Sequence, residues 1–179
     1  MFYLSKFIFW IFGWKLKGEV PPLKKFVIIA APHTSAWDVV FGLCAIYLFK
    51  LKLSFLAKQE AFNPPFGFLF RAVGGIPVDR SSKHNVVEQA TKMFEENENF
   101  ILALSPEGTR EHVAKWKTGF YYIALSANVP IVLSYLDFEN KVVGIGPTIY
   151  PTGNLEHDME LFINFYRPIK GKHPEKGIR

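Results

Sequence analysis

The sequence predicts an α/β domain: a single-domain, mixed and largely parallel β-sheet flanked by helices, with an apolar helix at the N-terminus. Two observations predict that class. Short apolar runs of strand length alternate with longer segments of helical length along most of the chain, the pattern of strands joined by helical crossovers. Three of those runs end in compact polar motifs rich in Gly, Pro and charge, and in open α/β sheets ligands lie beyond the carboxyl ends of the strands. The chain has 179 residues, a length suited to one domain that hides roughly 70% of its unfolded surface.

The first element is the run MFYLSKFIFWIFGW, nearly all apolar or aromatic. Fourteen helical residues reach only about 21 Å, short of the ~30 Å hydrocarbon core of a bilayer. The basic residues follow the run and no small-residue cleavage site comes after it, so it reads neither as a span nor as a secretion signal. Phe2, Phe9, Trp10 and Trp14, followed by Lys15 and Lys17, suit a helix lying in a membrane interface. Residues 1–18 are therefore expected to form an interfacial helix and residues 19–179 the domain proper. The competing expectation is a helix packed on that domain.

KFVIIA (25–30) is a β-branched run of strand length. Residues 37–50 have helical length, LSFLAK (53–58) reads as a short strand, and FNPPFGFLF (62–70) as a greasy loop or short helix. GIPV (75–78) is strand-like after two glycines. HNVVEQATKMFEEN (84–97) is an amphipathic helix with Val87, Ala90, Met93 and Phe94 on one side. FILAL (100–104) is a further buried strand, and TGFYYIALSAN (118–128) a helix. PIVLSYLDF (130–138) and KVVGIG (141–146) read as strands joined by a tight turn at Glu139–Asn140, and EHDMELFINFYR (156–167) as the last helix.

Composition narrows the function. Hydrophobic residues make up 49% and charged residues 21%, which excludes a disordered chain. The single cysteine, Cys44 in an apolar run, permits no internal disulfide framework and reads as a buried thiol. A net charge of +5 favours anionic partners: phosphates, acidic lipid, an acidic carrier protein or nucleic acid. No basic helix or RNA-binding aromatic motif is present, so nucleic acid is not expected. The five histidines lack metal-ligand spacing, so no metal is expected. There is no Gly-x-Ser-x-Gly elbow, and no P-loop or dinucleotide glycine pattern.

The three polar motifs carry the chemistry. PHTSAWD (32–38) follows the first strand and holds His33 and Asp38. On one continuous helix those side chains would lie about 140° apart, so the pair needs a turn before the helix. A carboxylate on one ring nitrogen fixes the tautomer and leaves the other as a general base. The structural alternative is that Thr34 or Ser35 caps the helix and Asp38 favours its dipole. GGIPVDR places Arg80 after a short strand, where it suits a phosphate or an Asp79 ion pair. SPEGTR (105–110) places Glu107, Gly108, Thr109 and Arg110 after FILAL, and Lys115 and Lys117 precede the next helix start; together they suit a phosphate site or a solvated loop.

In this order, HTSAWD, GGIPVDR, SPEGTR and VPIV (129–132) resemble the four sequence blocks of the 1-acyl-glycerol-3-phosphate acyltransferase-like family of membrane glycerolipid acyltransferases, over about residues 24–135. The resemblance implies acyl transfer from an acyl-thioester, on coenzyme A or acyl carrier protein, to a lysolipid hydroxyl, with no cofactor. It implies that His33 is the base and Asp38 its orienting partner. It implies that Arg80, Glu107, Gly108 and Arg110 help bind the phosphorylated acceptor; Thr109 matches the motif, and it and Lys117, the cation before the next helix start, are counted in the same candidate binding set. Ser105 departs from the aromatic or aliphatic residue common there. The expected location is peripheral, on the cytoplasmic face of an inner or plasma membrane. The competing readings are O-acylation of another lysolipid, such as a lyso-aminolipid, and a non-catalytic membrane-surface binding module.

Overall fold

The structure is a computed structural model that describes residues 1–65, 67–79 and 83–177. Seven strands form one sheet: β1 (Lys15–Lys17), β2 (Lys25–Ala31), β3 (Ser54–Lys58), β4 (Gly75–Val78), β5 (Phe100–Leu104), β6 (Ile131–Asp137) and β7 (Val142–Ile149). Their spatial order is β1-β7-β6-β2-β5-β3-β4, and every pairing is parallel except β6 with β7. The expected class holds, including the antiparallel pair near the C-terminus.

The strands form where apolar runs are covered on both sides. β2 sits mid-sheet, and its alternate residues serve two cores. Val27 and Ile29 face the cluster that includes Ala90, Phe94, Phe120 and Phe162. Phe26 and Ile28 face the other layer with Val132 and Ile145. The first layer is built by α4 (Lys83–Glu96), α5 (Gly119–Ser126) and α6 (Leu155–Tyr166); the second holds α1 (Phe2–Phe12), α2 (Trp37–Leu48) and α3 (Gly67–Ala72). The Tyr166 hydroxyl, at the end of α6, donates to the backbone carbonyls of Ile29 and Ser134 at 3.0 and 2.8 Å, tying α6 across β2 and β6.

The N-terminal segment corrects part of the sequence reading. α1 ends at Gly13, whose φ of 69° is left-handed, a backbone setting glycine adopts freely. Phe9 and Trp14, expected at a lipid interface, are instead buried at 5% and 7% exposure. Trp14 stacks on Phe41 of α2 with centroids 4.1 Å apart. Lys15 and Lys17 lie on the edge strand β1, paired with β7. Phe2 and Trp10 do face outward, with Tyr3, Phe7, Ile11 and Phe12. No helix among the described residues is long and apolar enough to cross a membrane.

Candidate active site

Two neighbouring strands bring the first and third motifs together. β2 and β5 pair in parallel with Ile29 opposite Leu104. His33 follows the first of these by four residues and Glu107 the second by three, so both leave the same rim side by side. The meeting is a direct bond: the His33 backbone N–H donates to Glu107 Oε2 at 2.8 Å. The second motif is farther away. β3 separates β4 from β5, which puts Asp79 about 10 Å along the rim; its backbone is held by the Gln89 side chain. Arg80 lies outside the described residues.

The turn at 32–36 arranges the pair as its spacing required. His33 Nδ1 lies 3.0 Å from Asp38 Oδ2. The same oxygen accepts the backbone N–H groups of Thr34 at 2.7 Å and Ser35 at 2.8 Å. Three donors on one oxygen, from the residues just before α2, fix the carboxylate and the ring together. The Asp38 side chain is 2% exposed and that of His33 is 26% exposed, so the ring alone reaches the surface. The capping alternative is not realised at the N-cap, which is Ala36 and has no side-chain cap; Ser35 Oγ instead accepts the Trp37 N–H within the turn.

Glu107 points inward. It is 3% exposed, and its Oε2 also accepts the Ser105 hydroxyl at 3.1 Å. Burial pushes its pKa above the usual carboxylate range; the His33 amide and Ser105 hydroxyl pull it partly back, and the Asp38 charge pushes it further up. Ser105, which departs from the family's usual residue, thus has a role that its position before Pro106 did not reveal.

The rest of the third motif is open. Gly108, Thr109 and Arg110 are exposed and line the same cavity as His33 and Asp38. Gly108 has a φ of 66°, and a Cβ there would come within 2.5 Å of Lys117 Nζ. The missing side chain lets Lys117 lie across the motif. Neither Arg110 nor Lys117 pairs with an acidic side chain among the described residues; Arg110 lines the cavity that His33 lines, and Lys117 lies against Gly108.

From this rim a trough of about 1030 Å³ runs down one face of the sheet. One wall is α2, through Gly42, Leu43 and Ile46; the other is α3, through Leu69 and Phe70, with Val73 just past its end. A second cavity of about 600 Å³ at the amino ends of the strands shares Leu43, Ile46, Leu53 and Val73 with the first. Along β5, from Ser105 back to Phe100, the two cover roughly 17 Å. α3 was legible only as a greasy segment; its role as a wall was not. Among the described residues no cluster of His, Cys, Asp and Glu could hold a metal.

Comparison with known proteins finds similarity to acyltransferases. The sequence model of a family described as Acyltransferase matches residues 15–135. A 1-acyl-sn-glycerol-3-phosphate acyltransferase of Haemophilus influenzae is 29% identical over 132 residues, which are 68% of this chain and 53% of that protein. Its namesake from Limnanthes douglasii is 29% identical over 133 residues, 70% and 46% of the two chains. This chain spans about half the length of the curated relatives it matches. The crystal structure of the 1-acyl-sn-glycerophosphate (LPA) acyltransferase PlsC from Thermotoga maritima superposes with a TM-score of 0.64 at 20% identity, covering 91% of this chain and 73% of that one. At that identity the likeness is one of fold.

Proposed function

This chain belongs to the acyltransferase family, and from that premise we propose that it moves an acyl group from a thioester, on coenzyme A or acyl carrier protein, to the hydroxyl of a lysophospholipid, with 1-acyl-glycerol-3-phosphate as the acceptor. The observation that carries this reading is the placement of the His33–Asp38 pair at the head of an apolar trough whose lining includes Arg110, which pairs with no acidic side chain among the described residues. A fatty chain fits the trough, and an anionic head group fits Arg110, Lys117 and, on the resemblance of its motif, Arg80. The names of the curated relatives support the same acceptor.

The chemistry follows from the ring's orientation. Nδ1 is committed to Asp38, so Nε2 is the nitrogen left to work. It takes the acceptor's hydroxyl proton as that oxygen bonds to the thioester carbonyl carbon. The tetrahedral adduct then expels the thiolate, which takes the proton back from Nε2. The protein forms no covalent bond and needs no cofactor. In this reading Glu107 positions rather than binds: a buried carboxylate repels a phosphate, but it holds the His33 backbone. Gly108 contributes space for Lys117, and Thr109 belongs to the acceptor lip.

The protein works as a peripheral membrane enzyme. Around α2, Phe41 and Cys44 pack toward α1 while Val39, Leu43 and Ile46 face the trough. Between these two sides Val40 and Tyr47 are exposed, and Trp37, on the α1 side against Phe12 and Phe41, is exposed as well. The exposed apolar surface of α1 therefore continues over α2 to the trough's mouth and on to Phe68 and Leu69 of α3. A lysolipid reaches the trough along that surface without entering water.

The test is thiol release from an acyl-thioester with lysophosphatidic acid as acceptor, for wild type and His33→Ala. Acceptor-dependent release is expected, falling by roughly 10²–10⁴-fold in the variant while liposome binding persists. Equal rates in both would remove His33 from the mechanism. Release only with a phosphate-free lysolipid would transfer the reading to that acceptor. Liposome binding with no release on either acceptor would leave a membrane-binding module.

A further inference from the structure

We infer that Gly171 is a positioning residue for the His33–Asp38 pair: the bare backbone of the C-terminal strap, residues 168–176, presses on Thr34 and holds it where its amide meets Asp38. This strap lies outside the matched family region, residues 15–135.

After α6 the chain turns back over the catalytic turn. It is tied at three points. The Phe138 N–H donates to the Lys170 carbonyl at 2.8 Å. The His173 N–H donates to Thr34 Oγ1 at 3.2 Å. Lys176 Nζ bonds Glu111 Oε1 at 2.8 Å, just past the third motif. Gly171 sits between the first two ties and is buried. A Cβ on it would lie 2.6 Å from Thr34 Oγ1, 2.9 Å from Thr34 Cγ2 and 3.2 Å from Pro32 Cγ. Its φ is outside the left-handed region, so backbone freedom does not explain the glycine; space does.

What it meets cannot easily yield. Thr34 is 3% exposed, β-branched and therefore stiff at χ1, and its hydroxyl is held by the strap itself. Its own N–H lies 2.7 Å from Asp38 Oδ2, the oxygen that meets His33 Nδ1. A methyl at 171 therefore pushes the residue adjacent to the base and pulls a donor from the carboxylate that orients it. In a packed site, shifts of this kind cost rate out of proportion to their size.

The kinetic arm of the test rests on the acyl-transfer reading; the spectroscopic arm does not. Gly171→Ala is expected to lower kcat about tenfold with little change in KM for the thioester, and to move the ¹⁵N resonances of the His33 imidazole. Thr34→Ala removes both close atoms. In that background the same Gly171→Ala change is expected to cost less than about twofold, a coupling that a double-mutant cycle reads directly. Equal losses in both backgrounds, or unmoved His33 resonances in folded Gly171→Ala, would overturn the inference. If Gly171→Ala does not fold, Thr34→Val serves instead: it keeps the shape, removes the strap's acceptor and is expected to shift the same resonances. Wild-type resonances in Thr34→Val would overturn the inference equally. A wild type that turns over no thioester would sink the acyltransferase reading, and the resonances would still decide on Gly171.

Discussion

Glu107 is a carboxyl group whose ionised form the fold disfavours. Its carboxylate is buried, one oxygen pairs with no described group, and burial raises its pKa. At a pH between its unfolded and folded values, the folded state keeps a proton that the unfolded state has released. Its contribution to stability is thus full below the unfolded value and is lost as pH rises through the folded one. Glu107→Gln keeps a carbonyl acceptor for the His33 amide and removes the ionisation. The melting temperature of the variant relative to wild type is therefore expected to rise as pH increases above the ordinary glutamate range; a difference that is flat or falls as pH increases would contradict the burial argument. At this scale the sequence was partly legible. The spacing of His33 and Asp38 demanded a turn, and the turn is there. The inward aim of Glu107 was not legible, because an acid next to a glycine in a loop looks solvated until the pairing of Ile29 with Leu104 brings His33 beside it.

Among the elements, α2 does three jobs with three sides. Its first turn carries Asp38, one flank packs on α1, and another walls the trough. Gly42, in mid-helix on the trough side, is the clearest trace of that division. A Cβ there would meet nothing within 4 Å, and glycine inside a helix costs about 0.5–1 kcal/mol relative to alanine. The helix forgoes that stability and the trough stays open. Gly42→Leu is expected to raise the melting temperature and to reduce transfer of long acyl chains more than short ones, measured across a thioester length series. A uniform effect on all lengths would detach the trough from the acyl chain. Strands flanked on both faces, such as β2 and β5, were legible as unbroken apolar runs. β1 was not: three residues, Lys-Leu-Lys, all exposed, pair through backbone alone and leave no pattern in side chains. α1 was legible as a helix but not in its orientation. Apart from Ser5 and Lys6 its sequence is apolar, and which side packs is decided by Phe41, far along the chain.

For the molecule as a whole, the exposed apolar surface and the buried one on α1 predict different losses. Trp10 is 75% exposed and Phe9 only 5%. Trp10→Ser is expected to weaken liposome partitioning several-fold while leaving the melting temperature nearly unchanged. Phe9→Ala is expected to destabilise the fold by about 3 kcal/mol. If Trp10→Ser melts the protein or leaves partitioning intact, this is not the surface that meets lipid. The two edges of the sheet bear on the same surface in another way. One edge is β1, three residues long with a lysine at each end; the other is β4, four residues long with Pro77 among them. Short, charged or proline-bearing edges are poor templates for a neighbour's strand. Copies crowded side by side, as they would be if the protein sits on a bilayer, therefore find no backbone seam along the two described edges on which to join. Contacts between them would run through greasy helices, which lipid or detergent can replace, so clusters of this protein should come apart rather than harden into fibres.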